Sequence, residues 1–205
     1  MACPASLGTA IQFATVKWLF QDINDTVEES LTVSGVSVVD FAEIEENRPN
    51  GDVGEADSSG GPFPQRGHGQ AWPTLVIESG HSQSLPEWWF GASDHQVKIV
   101  LLVKLEQSTR SIIIEKYVEV PGQIQPGAAA TQAAAQLEPT CTQVITITDN
   151  QNPSNPLSHV TGGALQLEFD LLFLRQPGQG EGDIIVSIQR LQVLGECIWR
   201  MRRNG

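Results

Sequence analysis

The sequence is short of cysteine and of long apolar runs, and both shortages exclude classes of protein. Its three cysteines, Cys3, Cys141 and Cys197, are an odd number at wide spacings, which fits neither a disulfide framework nor a metal site. No apolar run approaches the roughly 20 residues that a membrane-spanning helix needs. The first segment, MACPASLGTA, lacks the basic region of a signal peptide. We therefore expect an intracellular protein, cytoplasmic or nuclear, with no membrane contact.

Basic residues are half as numerous as acidic ones. The chain has 12 Lys and Arg against 24 Asp and Glu, which gives a net charge of −12 at pH 7. Such a surface repels phosphate backbones, so contact with nucleic acid requires a local basic patch. The candidate patch is formed by Arg200, Arg202 and Arg203. The alternative is a solvated helix end whose positive charges complement the helix dipole.

Several catalytic motifs are absent. There is no P-loop, dinucleotide fingerprint or zinc motif. No G-x-S-x-G elbow surrounds Ser82 or Ser84, which argues against a serine hydrolase. His81, in ESGHS, is either a proton carrier or a turn residue with a local hydrogen bond.

Length and apolar content are those of a globular protein. The 205 residues, 40% of them hydrophobic, fit one domain over residues 1–205 better than two small ones. A domain of this size buries roughly 70% of its unfolded surface, so its core needs no metal or disulfide.

Apolar periodicity predicts helices at both ends of the chain and strands between them. The predicted helices are Thr9–Glu29, one or two turns at Leu85–Phe90, and Ile185–Arg202; the predicted strands are Leu31–Phe41, Thr74–Ile77, Val97–Val103, Ser111–Val118, Cys141–Thr148 and Leu165–Leu174. Asn47–Gln70 is predicted to be a loop, with a brief edge strand near Asp52–Asp57 as an option. The Gly-, Pro- and Ala-rich segment at about 121–139 is predicted to be a low-complexity insertion.

These elements predict an α/β fold, with α+β as the alternative. The central strands are apolar on both faces, which indicates a sheet covered by other elements on both sides.

Asp57 and Glu78 are the first candidates for chemistry. They are 21 residues apart, and two adjacent strands would bring them within reach of one Mg²⁺, which takes few protein carboxylates and keeps several waters. The alternative is two ordinary solvent-facing acids at strand ends.

Lys98 and Lys104 have even spacing along one predicted strand and so share a face. Either lysine approaches a carboxylate or extends its amine to solvent at the strand margin.

An aromatic cluster, Trp88, Trp89 and Phe90, lies between the two central strands. Such side chains stack on nucleic-acid bases. They also close one face of a sheet as an apolar cluster, which we consider the commoner role.

The segment EADSSGGPFPQRGHGQAWPTLVIESGHSQSL, followed by QVKIVLLVKL and IIIEKY, resembles a group of uncharacterised fungal proteins. That group is related to the PD-(D/E)XK restriction-endonuclease-like superfamily. LEFDLLFLRQPGQGEGDIIVSIQRL is similar to the group's closing strand, turn and helix. The likeness runs from about Gly35 to Trp199 and is weakest over Pro121–Asn155.

The resemblance implies a restriction-endonuclease-like fold, a mixed β-sheet core flanked by helices. In that superfamily an Asp and a Glu-x-Lys on the next strand bind a divalent cation and position an attacking water. Asp57 matches the Asp and Glu78 the Glu, whereas the Lys position falls on Gly80. Lys98 is the candidate substitute. The implied cofactor is Mg²⁺ or Mn²⁺ on Asp57 and Glu78, and the implied partner is nucleic acid.

Two functions follow from these observations. One is a nuclease-like protein that hydrolyses phosphodiesters with a divalent cation. The other is a non-catalytic interaction module on the same fold. Carboxylates of Asp57 and Glu78 that converge near a basic side chain would favour the enzyme, and divergent ones the module.

Overall fold

The computed structural model describes residues 7–34, 41–43, 56–66, 71–80, 82, 84–122, 137–150 and 157–204. Within these ranges, seven strands form one mixed sheet, two short strands form a separate ribbon, and four helices accompany them. The helices are α1 (Leu7–Ser34), α2 (Leu85–Ala92), α3 (Phe169–Phe173) and α4 (Ile188–Asn204). The strands are β1 (Phe41–Glu43), β2 (Ser58–Pro62), β3 (Leu75–Ser79), β4 (Ile99–Glu106), β5 (Ser111–Pro121), β6 (Leu137–Thr148), β7 (His159–Thr161), β8 (Leu165–Leu167) and β9 (Ile184–Val186).

The large sheet follows chain order from β1 to β7. Its pairings are antiparallel except for β3 with β4, which are parallel. A parallel pair needs a crossover connection, and α2 lies on that connection. The strand β8 pairs with β9 in the separate ribbon.

Both faces of the central strands are buried, as their composition predicts. Along β4, Ile99, Leu101 and Val103 pack in one core with α1, α3 and α4. Val100 and Leu102 face the other way and pack in a second, smaller core with Trp89 and Phe90 of α2. The prediction of an α/β protein with a mixed sheet flanked by helices is confirmed.

Two predicted strands are wrong. Leu31–Ser34 ends α1, and the next described strand begins at Phe41; the apolar side chain of Leu31 belongs to the helical stripe and is 1% exposed. The predicted strand Leu165–Leu174 is a short strand, β8, followed by the one-turn helix α3. Apolar runs of this length fit a buried strand and a buried helical turn equally well.

The predicted insertion is narrower than its expected bounds. Pro121 ends β5 and Leu137 begins β6, and these two residues are opposite each other in the ladder. The strand β6 also includes Pro139. Residues 123–136 lie outside the described part of the chain.

The last helix packs on the sheet through Leu191, Leu194, Ile198 and Trp199, whose relative exposures are 3% or less. Ile188, which the sequence places on the same stripe, is 39% exposed. In the described portion of the chain, no helix combines the length and the apolar character needed to cross a bilayer.

Candidate functional site

The structure brings Asp57 and Glu78 to one end of two neighbouring strands. Asp57 directly precedes β2, and Glu78 lies in β3 just before the polar sequence that ends the strand. Ser58 is opposite Ile77 in the antiparallel ladder, so Asp57 and Glu78 occupy the next opposed positions. Cβ atoms of opposed residues lie about 4.5–5.5 Å apart. The two predicted metal ligands therefore lie at the same end of neighbouring strands.

The carboxylate of Asp57 is held by the residue that follows Glu78. Its Oδ2 accepts a hydrogen bond from the backbone N–H of Ser79 at 2.7 Å. The hydroxyl of Ser79 donates to the same oxygen. These two bonds fix Asp57 against β3 although Asp57 lies outside the ladder.

The carboxylate of Glu78 accepts a hydrogen bond from the indole of α2. Trp89 Nε1 lies 3.1 Å from Glu78 Oε1, and the Trp89 ring is 1% exposed. Trp89 also contacts Trp72 and Trp88 edge to face, with ring centroids 6.3 and 4.9 Å away. Trp89 and Phe90 thus close one face of the sheet, while Trp88 remains 39% exposed.

The register does not bring Lys98 to this site. Glu78 pairs with Leu102 in the parallel ladder, whereas Lys98 precedes the first residue of β4, at the opposite end of the strand. The Lys98 amine donates to the carbonyl of His95 at 2.6 Å. Four residues of strand correspond to about 13 Å, so Lys98 lies at the wrong end to accompany the two carboxylates.

The lysine at the correct end is Lys104. Ser79 pairs with Val103, and the N–H of Gly80 donates to the Val103 carbonyl at 3.2 Å. Lys104 is therefore beside Gly80, the position that the resemblance assigns to the motif lysine. Because side chains alternate along a strand, Lys104 also projects from the same face as Glu78. Its side chain is only 11% exposed.

A polar row continues from Lys104 across the same face. The Lys104 amine lies 2.6 Å from Glu115 Oε1 of β5, and the Tyr117 hydroxyl donates to Glu115 Oε2 at 2.9 Å. Burial and the adjacent Glu115 carboxylate raise the pKa of Tyr117 well above its usual range. Burial, followed by the charge of Glu115, also raises the pKa of the Cys141 thiol. Tyr117 therefore stays protonated and acts as a hydrogen-bond donor that fixes Glu115.

Sequence reasoning placed Lys98 and Lys104 on one face and took Lys98 as the substitute for the motif lysine, whereas the register puts Lys98 at the opposite end of β4 from Glu78. The even spacing of the two lysines was the available signal. The missing information was the register between β3 and β4, which are parallel and separated by α2. His81 lies outside the residues that the structure describes.

The donor set limits how a metal ion is held. No group of three or more His, Cys, Asp or Glu side chains with metal-binding geometry exists among the described residues. Asp57 and Glu78 supply two carboxylates, and Mg²⁺ accepts such a small protein donor set because it keeps several waters. Two carboxylates alone would hold a divalent cation weakly and leave it largely hydrated.

Comparison with known proteins adds no assignment, because no protein-family model, curated protein or solved structure matches this chain.

Proposed function

We propose that this chain is a nuclease-like protein of the PD-(D/E)XK restriction-endonuclease-like superfamily, in which Asp57 and Glu78 hold Mg²⁺ or Mn²⁺ for phosphodiester hydrolysis. The observation that carries the proposal is that Asp57, directly before β2, and Glu78, in the neighbouring strand β3, lie at the same end of these strands. That layout, an Asp followed by a Glu on the next strand, is the one that the sequence resemblance implies. The mixed sheet with helices packed on both faces is compatible with it.

A bound divalent cation would polarise a phosphate oxygen and lower the pKa of a coordinated water. Asp57 and Glu78 would supply the negative charge that retains such a cation. Ser79 orients the Asp57 carboxylate, and Trp89 orients that of Glu78.

Lys104 takes the role that the motif lysine has in the superfamily. It lies beside Gly80 and on the face of Glu78, and its stem is buried, so its charge is directed along the polar row. Glu115 holds the amine in place. A positive group here would offset the charge that develops on a phosphate during attack.

The second candidate is a non-catalytic module on the same fold. Gly80 at the motif position and the short Lys104–Glu115 ion pair favour it, because an amine committed to Glu115 serves stability. The two candidates differ in whether Asp57 and Glu78 respond to a cation.

The first test is the melting temperature of the purified protein during titration with Mg²⁺ or Mn²⁺. A site saturated at a hundred times its dissociation constant adds about 2.7 kcal/mol, which corresponds to a rise of roughly 5–10 °C for a chain of this size. We expect the rise to be lost in Asp57→Asn and Glu78→Gln. Asn retains an oxygen that accepts from Ser79, so its loss of response reports the missing charge. Asp170→Asn, at an exposed carboxylate of α3, should keep the full response.

The second test is cleavage of labelled single- and double-stranded DNA and RNA. We expect cation-dependent cleavage that Lys104→Met abolishes and Lys98→Met, on the same strand, retains. A cation response without cleavage of any of the four substrates would establish the non-catalytic module. No cation response in the wild type would overturn the metal site and with it the nuclease assignment.

A further inference from the structure

Four arginines gather at one end of the sheet in a chain that is otherwise poor in basic residues. Arg110 lies in the turn between β4 and β5, and Arg200, Arg202 and Arg203 lie in the last turns of α4. We call these four residues the arginine cluster. They represent a third of the 12 Lys and Arg in the sequence. The prediction from the sequence included three of them, and the fold adds Arg110.

Two buried side chains hold the cluster together. The carboxylate of Asp149, at the end of β6, forms ion pairs with Arg110 and with Arg203, the latter at 3.5 Å. The guanidinium groups of Arg110 and Arg202 lie over the ring of Trp199, 5.8 and 5.9 Å from its centroid. The side chain of Asp149 is 2% exposed and Trp199 is 0% exposed. The cluster is therefore anchored on the core and is pre-arranged at the surface.

The cluster has more donors than acceptors. Arg110 Nε, Arg202 Nη1 and Trp199 Nε1 are buried and have no hydrogen-bond partner in the part of the chain that the structure describes. The outer nitrogens remain accessible, since the side chains of Arg110, Arg203 and Arg200 are 32%, 46% and 62% exposed. The accessible outer guanidinium nitrogens favour an anionic ligand with several oxygens, because guanidinium groups bind phosphate in pairs of hydrogen bonds.

Arg190 and Arg175, by contrast, are neutralised within the fold. Arg190, also on α4, faces Asp22, Asp25 and Glu29. Arg175 forms a two-pronged pair with Glu181. In the arginine cluster, four positive charges meet Asp149, Glu196, which pairs with Arg200, and Glu106 at the start of the turn. The cluster is thus a positive area in a chain whose net charge is −12.

The cluster lies at the same end of the sheet as Asp57 and Glu78. Because β3 and β4 are parallel, the end of β3 at Glu78 and the turn after β4 that contains Arg110 lie at the same end of the sheet. Arg110 follows β4, which is the direct neighbour of β3 in the sheet.

We propose that the arginine cluster binds the phosphate backbone of a nucleic-acid strand whose scissile phosphate lies at Asp57 and Glu78; this inference rests on the proposed function. The cluster supplies the local positive charge that an acidic protein needs to hold a polyanion. It positions the strand and reads no bases, since backbone contacts carry no sequence information.

The test is fluorescence anisotropy with a labelled single-stranded 20-nucleotide oligonucleotide, in low salt with EDTA. Arg200→Gln and Arg203→Gln remove charges that do not contact Trp199, so the fold should persist, and equal melting temperatures would verify it. We expect the double variant to bind more weakly. The slope of log affinity against log salt should fall by about 0.7 for each phosphate that the variant no longer neutralises. Arg190→Gln, which removes one positive charge from the same helix outside the cluster, should bind the oligonucleotide as the wild type does.

Three outcomes would overturn the inference. One is the absence of oligonucleotide binding by the wild type, and the second is equal affinity of the double variant and Arg190→Gln. The third is equal, arginine-dependent binding of a polyglutamate peptide, which would assign the cluster to acidic proteins. EDTA removes divalent cations, so this assay measures binding by the arginine cluster alone. Arginine-dependent binding would therefore support the cluster even if the titration shows that Asp57 and Glu78 bind no metal. If Mg²⁺ or Mn²⁺ raises the melting temperature but the arginine variants bind the oligonucleotide as the wild type does, the proposed function is kept and the role of the cluster is rejected.

Discussion

Glu181 shows how a single buried charge is stabilised in this fold. Its carboxylate accepts from both terminal nitrogens of Arg175, at 2.5 and 2.6 Å, and from the N–H of Gly178 at 2.6 Å. The Arg175 guanidinium lies 4.7 Å from the ring centroid of Phe169. The hydrogen bonds from Arg175 lower the pKa of Glu181 to about 2. The pair ties the turn that precedes β9 to α3.

This pKa shift predicts a loss of stability in acid. The carboxyl group titrates near 4.5 when unfolded and near 2 when folded, so its contribution is complete above pH 4.5 and is lost as the pH falls toward 2. Glu181→Gln should lower the free energy of unfolding at pH 7 by roughly 1–3 kcal/mol. Its melting temperature should also change less between pH 4.5 and pH 2. Circular dichroism melts across this range measure both effects.

The control for Glu181→Gln is Glu87→Gln, since Glu87 is an exposed carboxylate on α2. That variant should reproduce the wild-type dependence on pH. If Glu181→Gln also followed the wild-type curve throughout, the pairing with Arg175 would contribute nothing to acid stability.

Among the candidate site residues, sequence reasoning selected Glu78 as an acid at the end of an apolar strand and Asp57 by its spacing from Glu78 and by the resemblance. It did not identify Lys104 as their neighbour. Alternation along one strand gives the face of a side chain, but the level at which two strands pair depends on long-range packing. The choice between Lys98 and Lys104 therefore required the β3–β4 register.

At the level of elements, α4 approaches the sheet closely at Gly195. A Cβ atom there would lie 2.6 Å from Ile147 Cγ2 of β6 and 2.6 Å from Ser158 Oγ. The absence of a side chain lets the helix pack directly on the strands. Gly in a helix costs roughly 1 kcal/mol relative to Ala, so the close packing must offset that cost.

Gly195→Ala should destabilise the protein by about 1–3 kcal/mol, the usual cost of overpacking, despite the higher helix propensity of Ala. Urea denaturation measures the change in the free energy of unfolding, provided that the dependence of this free energy on urea concentration has the same slope in both proteins. Gly91→Ala is the matched control, because a Cβ at this position in α2 meets nothing within 4 Å. The control should be neutral or slightly stabilising, and a stabilised Gly195→Ala would contradict the close packing of α4.

The elements differ in how well the sequence predicts them. β3 and β4 were predicted from apolar runs, because strands buried on both faces carry no polar positions. Leu165–Leu174 has the same apolar character, yet it divides into β8 and α3. The backbone after Leu167 turns because the N–H of Phe169 donates to the carboxylate of Asp183 at 2.9 Å. Asp183 is 14 residues later, and a local pattern contains no information about such a partner.

At the scale of the whole molecule, the segment between β5 and β6 is predicted to be dispensable. Pro121 is opposite Leu137, so a short turn can join the two strands. Residues 123–136 are rich in Ala and Gln, a composition that buries little apolar surface. Replacement of residues 123–136 by Asn-Gly should leave stability unchanged or raise it by about 1 kcal/mol, because the loop is shorter.

Thermal and urea denaturation of the shortened protein test this prediction. A deletion that also removes Leu137–Pro139 serves as the contrast, since these residues belong to β6 and their loss should destabilise the protein. Truncation of the buried Trp199 to Ala, expected to cost roughly 3–5 kcal/mol, sets the scale. If the Asn-Gly variant lost as much as Trp199→Ala, residues 123–136 would be part of the core.

The contact between α1 and α4 has a consequence for how the protein is made. Arg190 of α4 reaches Glu29 of α1 across 161 positions of sequence, and both helices contribute to the same core. A ribosome that adds roughly 5–20 residues per second delivers α4 about 8–30 s after α1. Throughout that interval the apolar stripe of α1, with Leu19 and Ile23 fully buried in the finished fold, lacks its covering helix. The nascent chain therefore exposes this apolar stripe until α4 is synthesised, and transiently exposed apolar surface promotes aggregation.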